Sequence, residues 1–303
     1  MRLALALLVL APALGAAIPP GPDPTPVDPY VGLLGQFEKR PLVAFLESHG
    51  SAPQHRFLRS LVMRPEFGRT VDAVVVEFGS ARYQVTIDRY VRGERVPLSS
   101  LSRVWRRTTQ DSGVWNDPIY HDFFRAVRAA NAERPASERI RVLLGDPPID
   151  WRQISTRTCP RRPRPSCHEY WLGRRGPHYA NVVMTKVLAR GQRALLIAGV
   201  FHLIRPPAGQ LWSETGIIER RYPGSIFTVK PHDYFGGPDW AELERRIGTW
   251  PRPSLAVTRA TWLGAIEPES VVYVGLAPGS RRPPFPDRLE DAIDGYLVLG
   301  PAA

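Results

Sequence analysis

Continuous apolar runs alternate with amphipathic stretches along most of this chain, and each period can be read on its own. Residues 41–46 form a short apolar run, and APQHRFLRSLVM follows with Phe57, Leu58, Leu61 and Val62 at the three- and four-residue spacing of a helix face. VDAVVVEFG is a β-branched run of the kind found in strands buried on both faces. YQVTIDRYVRG and LSSLSRVWRRT read as helical. A longer helix is predicted over 117–133, with Pro118 in its first turn and Phe123, Phe124 and Val127 on its core face. A third strand spans 139–146, closed by Pro147 and Pro148, a helix is predicted over about 179–189, and a fourth strand spans 193–199.

Strands alternating with helices predict an α/β fold: a mostly parallel central sheet flanked by helices, with additional helices between the second and third strands. Beyond His202 the alternation blurs. GSIFTVKPHDYF, SLAVTRATWL and VVYVGL are read as further strands and DWAELERRI as a helix, giving a C-terminal α+β extension.

The first 17 residues, with one Arg, an apolar run too short to span a bilayer and a small-residue end, read as a secretory signal. Residues 18–29 are so rich in Pro that a linker is expected, leaving 30–303 as a single domain with a C-terminal elaboration. No later run is long enough for a membrane span. The expected location is periplasmic or extracellular. An oxidising compartment makes a disulfide between Cys159 and Cys167 the natural reading, worth about 2–3 kcal/mol by the chain-entropy model. The alternative, a metal site from Cys159, Cys167 and His168, lacks an evident fourth ligand.

A formal net charge of +11 raises the question of nucleic acid. Lys occurs only at 39, 186 and 230, and the Arg residues are dispersed, apart from the loop CPRRPRPSC, without a basic-aromatic module. A solvated basic surface is the expectation, with a small molecule or peptide, not nucleic acid, as the partner.

The candidate chemistry lies where the strands stop. The first strand runs into Glu47 and His49, the second into Glu77, the third into Asp146, and the fourth is followed by His202 in AGVFH. In an open α/β sheet these positions share the carboxyl edge, where ligands bind. Glu47 and His49, two apart in an extended chain, point to the same face. Buried together, two His and two Glu require pairing, protonation or a metal.

ESHGSAPQHRFLRSLV resembles the first motif of the superfamily that contains erythromycin esterases, ChaN-like haem-binding proteins and Tiki/TraB proteins: a Glu and a His at a strand end, and a second His opening the next helix, here Glu47, His49 and His55. Glu77 in VVVEFG is similar to the family's second acidic position, Arg175 to the helix Arg in RGPHYA, and GVFH to its Gly-x-x-His. The match runs from about residue 42 to 205. Leu46 stands where the family has Gly, Gly176 where it has Asp, and Tyr179 where it has Met.

The resemblance implies two chemistries. Esterase-like members imply a hydrolase of an ester, lactone or amide, with His49 as base, Glu47 or Glu77 orienting it, and Arg175 or His202 stabilising the oxyanion. The Tiki-like version places a divalent metal, Zn or Mn, on Glu47, His49, Glu77 and His202. ChaN-like members imply haem or ligand binding without catalysis, with His55 and Tyr179 as cofactor-binding residues and His178 as a further axial candidate.

Overall fold

The strands form one seven-stranded mixed sheet in the order β3-β2-β4-β1-β5-β7-β6 in the computed structural model, which describes residues 18–110, 113–155, 160, 164–233, 240–272 and 283–300. The strands are β1 (Leu42–Glu47), β2 (Ala73–Ser80), β3 (Arg141–Asp146), β4 (Ala194–Gly199), β5 (Ile226–Pro231), β6 (Ser254–Val257) and β7 (Gly295–Val298). All neighbours pair parallel except β6 against β7. The four central strands are buried on both faces, which is why β1, β2 and β4 read as apolar runs.

Alternation sorts each strand's side chains into two layers. Val43 and Phe45 of β1 join Val74, Val76 and Phe78 of β2 in a core with Phe57, Leu58, Leu61 and Val62 of the helix Ala52–Met63, and with Phe123, Phe124 and Val127 of the helix Pro118–Ala132. Asp117 caps the second of these helices, accepting from Ile119 N at 3.0 Å, with Pro118 in its first turn. On the other face Leu42, Ala44 and Leu46 join Ala73 and Val75, packed against Tyr179, Ala180 and Val183 of the helix Arg175–Lys186 and Ile218 of the helix Glu214–Arg221. Full burial of each large aliphatic or aromatic side chain contributes about 1.5–3 kcal/mol. The chain thus leaves β1 toward one face and β4 toward the other. Their carboxyl ends lie where the winding reverses, the place where ligands bind in open α/β sheets.

The C-terminal segments add further strands and helices, including the antiparallel pair of the sheet. β5 pairs with β1, β7 with β5 and β6 with β7, so they complete the same sheet. β7 has four residues, too short for periodicity to show. Of the predicted strand VVYVGL, Val271 and Val272 lie at a turn after Pro268–Ser270, and residues 273–276 lie outside the described residues.

Residues 18–29 do not span a gap as a linker. Val27 pairs with Leu255, Trp262 donates through Nε1 to Asp23 at 2.9 Å, and Ile18 is buried. Pro excludes the segment from central strands but not from packing in extended form along a sheet edge. The expected signal segment and Cys159 lie outside the described residues. The expected Cys159–Cys167 pairing therefore does too, although Cys167 is buried and is not a free thiol. Among the described residues no helix is long and apolar enough to cross a membrane.

Candidate active site

Glu47 is the last residue of β1 and continues the parity of Val43 and Phe45, so its side chain leaves the sheet on the face of the helix Ala52–Met63. It is buried, with both oxygens engaged: His49 donates from Nδ1 to Oε2 at 2.6 Å and His55 from Nε2 to Oε1 at 2.9 Å. A carboxylate only accepts, so it fixes both tautomers. Burial works to raise the Glu47 pKa, but the two imidazole hydrogen bonds outweigh it and hold the group below its ordinary value. Tyr120 reaches Oε1 at 3.4 Å while accepting from Gly50 N at 3.0 Å.

Glu77 follows the opposite parity, with Ala73 and Val75, and faces the helix Arg175–Lys186. It lies where the β2 ladder shifts register between Val76 and Ser80. Its Oε1 accepts from Arg175 and sits 3.0 Å from His202 Nε2, and its Oε2 accepts from Gly199 N at 2.7 Å. Burial again opposes ionisation, yet the charges of His202, Arg175 and His49 hold its pKa far below the usual carboxylate range.

His202 stands in the short helix Val200–Leu203 directly after β4, and its Nδ1 donates to Glu214 at 2.6 Å. Burial disfavours its charge, but the two carboxylates prevail and its pKa is pushed up to about 10. At neutral pH it is therefore an imidazolium with both N–H groups committed. Arg175 also approaches Asp146, with Nε 3.8 Å from Oδ1, and that Nε is buried without a hydrogen-bond partner. Asp146 is buried and accepts from Thr109 N at 2.8 Å and from the Thr109 hydroxyl. Burial lifts its pKa to about 7 against those hydrogen bonds.

His49 differs from the others. Its side chain is 31% exposed, its ring edge rests on Trp115 at 4.5 Å, and Nε2 has no hydrogen-bond partner among the described residues. A Cβ on Gly199 would lie 3.0 Å from His49 Cε1, 3.3 Å from Nε2 and 3.5 Å from Glu77 Oε2. The absent side chain at Gly199 is thus what lets the Glu47–His49 pair of one layer meet Glu77 of the other. Burial lowers the His49 pKa, but the Glu47 hydrogen bond and the Glu77 charge raise it above its ordinary value.

The structure brings His49, Glu47, Glu77, His202 and Arg175 to the ends of β1, β2 and β4. It does not bring His55 and Tyr179 to open space. His55 is fully buried, and Tyr179 is buried with its hydroxyl donating to Val75 O at 2.9 Å and its ring against Gly145, where a Cβ would collide with it. Their donors serve the fold, so they do not fit a haem-contacting role. His178 is half-buried with Nε2 unpartnered.

Among the described residues no three His, Cys, Asp or Glu side chains are placed to hold a metal ion. The reason is local: both oxygens of Glu47 and Glu77 and both nitrogens of His202 face N–H donors or carboxylates. The donor set of the Zn or Mn reading does not fit.

Four residues of the centre carry no signal in the local pattern. Glu214, in the first turn after the cap Ser213, reads only as a helix start, and Tyr120 and Thr109 read as core and loop. Asp233 accepts from Ser48 Oγ at 2.6 Å, Gln54 Nε2 at 2.5 Å and Lys230 Nζ at 2.7 Å, clamping the loop that carries His49 to the end of β5. His232 stacks on Trp240 at 4.7 Å between Tyr296 and Glu244.

No family model and no curated protein matches this chain. Among solved structures, a Bacillus cereus protein aligns over 91% of this chain and 94% of its own, at 11% identity and a TM-score of 0.54. The type III effector HopBA1 aligns over 71% and 88% at 13% identity with a TM-score of 0.42. ChaN of Campylobacter jejuni, described for cofacial haem binding, aligns over 70% and 88% at 11% identity with a TM-score of 0.41. The first likeness is one of fold alone.

Proposed function

We propose that this chain is a hydrolase that cleaves an ester, lactone or amide by water activated at His49. The observation that carries the reading is the asymmetry of His49: Nδ1 tied to a buried carboxylate, Nε2 unpartnered at a partly exposed ring edge. That is the arrangement of an oriented general base. Nε2 takes a proton from water, the resulting hydroxide adds to the carbonyl, and the tetrahedral intermediate expels the alcohol or amine, which takes the proton back from His49. Water and ester become acid and alcohol, and the imidazole is restored.

Glu47 holds the tautomer and supports the imidazolium that forms. The Arg175 guanidinium has donors beyond the one given to Glu77 and is the group to meet the developing oxyanion. His202, charged and held by Glu77 and Glu214, positions Glu77 and adds positive potential. This supports His202 as a positioning residue and not as a second base.

The test is hydrolysis of 4-nitrophenyl acetate, which requires no knowledge of the natural substrate. The expected result is a loss of about 10²- to 10⁴-fold in kcat/KM for His49→Ala, with folding preserved by circular dichroism. Equal rates in wild type and variant would overturn the reading. A parallel titration with haemin tests ligand binding without catalysis.

A further inference from the structure

Beside the candidate site, on the same carboxyl edge of the sheet, lies an open cleft of about 550 Å³ lined by Arg82, Tyr83, Arg103, Arg107, Asp150, Trp151 and Arg152. Its walls come from the segments that leave the active strands. Arg82 and Tyr83 follow β2, which carries Glu77, and Asp150 to Arg152 follow β3, which ends in Asp146. Arg103 and Arg107 come from the helix Arg103–Arg106 and the residue after it, immediately before Thr108 and Thr109. Thr108 O accepts from Trp151 Nε1 at 3.0 Å, and Thr109 binds Asp146, which faces Arg175. One connected set of residues therefore joins the cleft wall to the active-site guanidinium.

The charge of the cleft is unbalanced. Asp150 is the one carboxylate of its lining, and it is already shared by Arg82 at 2.8 Å and Arg152 at 3.0 Å. Arg103 and Arg107 have no ion-pair partner among the described residues. By contrast, Arg89 and Arg92 pair with Glu94, and Arg245 and Arg246 with Glu242. Guanidinium forks are suited to oxyanions, which accept two parallel N–H bonds. Tyr83 and Trp151 add aromatic wall beside them.

We infer that this cleft is a substrate subsite for an anionic oxygen group, a phosphate, sulfate or carboxylate, whose carrier extends toward His49. The inference deepens the hydrolase reading by naming a substrate class, and its binding half stands independently of catalysis.

The experiment uses the full chain and pyrophosphate as probe, followed by isothermal titration calorimetry. Saturable binding is expected, weakened about tenfold or more in Arg103→Ala/Arg107→Ala and unchanged in Arg190→Ala/Arg193→Ala, which removes two exposed arginines ahead of β4 at the opposite edge. Absence of saturable binding, or an equal loss in both double variants, overturns the subsite and leaves the hydrolase reading untouched. In the second arm, mono(4-nitrophenyl) succinate is compared with 4-nitrophenyl acetate. The expected result is a lower KM for the anionic ester in wild type, with the advantage removed in Arg103→Ala/Arg107→Ala. Pyrophosphate binding without cleavage of either ester sinks the hydrolase and keeps the subsite. Cleavage of both with identical KM in wild type and variant sinks the subsite as part of substrate recognition.

Discussion

His202 Nε2 lies 3.0 Å from Glu77 Oε1, and the same imidazole gives its other nitrogen to Glu214. A histidine between two buried carboxylates is held as a cation with its pKa pushed up to about 10, which leaves His49 as the imidazole of the two with a nitrogen free to exchange a proton. The roles of the two histidines follow from their partners.

Activity should rise with pH as His49 loses its proton, with the midpoint of the acidic limb above 6.5, because Glu47 and Glu77 raise its pKa against the effect of burial. Glu47→Gln removes the hydrogen-bonded charge and should move that midpoint to lower pH while reducing kcat. A pH–rate profile of the two proteins on 4-nitrophenyl acetate checks this, and an unmoved midpoint would dissociate Glu47 from the base.

Stability should decline at both ends of the pH scale. His202 has a folded pKa of about 10, above its unfolded value, so its contribution is complete below about pH 6.5 and is lost as pH rises through 10. Glu47 and Glu77 have depressed folded values, so theirs is present above about pH 4.5 and lost as pH falls through those values. Melting temperature against pH measures both limbs, and His202→Gln should flatten the alkaline one.

Gly199→Ala places a methyl group 3.0 Å from His49 Cε1. The partly exposed ring can yield, so the fold should survive while the base is displaced by a few tenths of an ångström. A fall in kcat of about tenfold is expected, with KM and the melting curve little changed. A variant with full kcat would show that the contact between the two layers is not part of the chemistry.

Tyr179→Phe should cost about 1 kcal/mol in denaturant unfolding, since it removes the hydroxyl that donates to Val75 O, and should leave ester hydrolysis near wild type. A change in haemin binding in this variant with no change in stability would restore the ligand role that its burial argues against.

The centre was legible in the sequence to the extent that strand ends mark it. β1, β2 and β4 are long, apolar and buried on both faces, so Glu47, Glu77 and the Gly199 to His202 turn stand out where the runs stop. The helix bearing Arg175 begins at that residue, ahead of the expected start near 179, because RGPHY is polar enough to hide its first turn. Glu214 and Asp233 were invisible for a different reason. Each meets its partner through the tertiary fold, and no local period links position 214 to 202 or 233 to 48. The Pro-rich segment misled because composition reports which conformations are barred, not which surfaces an extended chain can cover.

The opposite parity of Glu47 and Glu77 has a dynamic consequence. One acid is secured to the helical layer of Ala52–Met63 and the other to that of Arg175–Lys186, so the centre is a seam between two layers that can open separately. Loosening either layer, by truncating Leu58 on one side or Val183 on the other, separates half of the constellation before the sheet itself unfolds. Amide exchange in either helix should then become faster together with the loss of activity, while β1 and β4 remain protected. The expected failure is therefore an unstitching along whichever side is weaker.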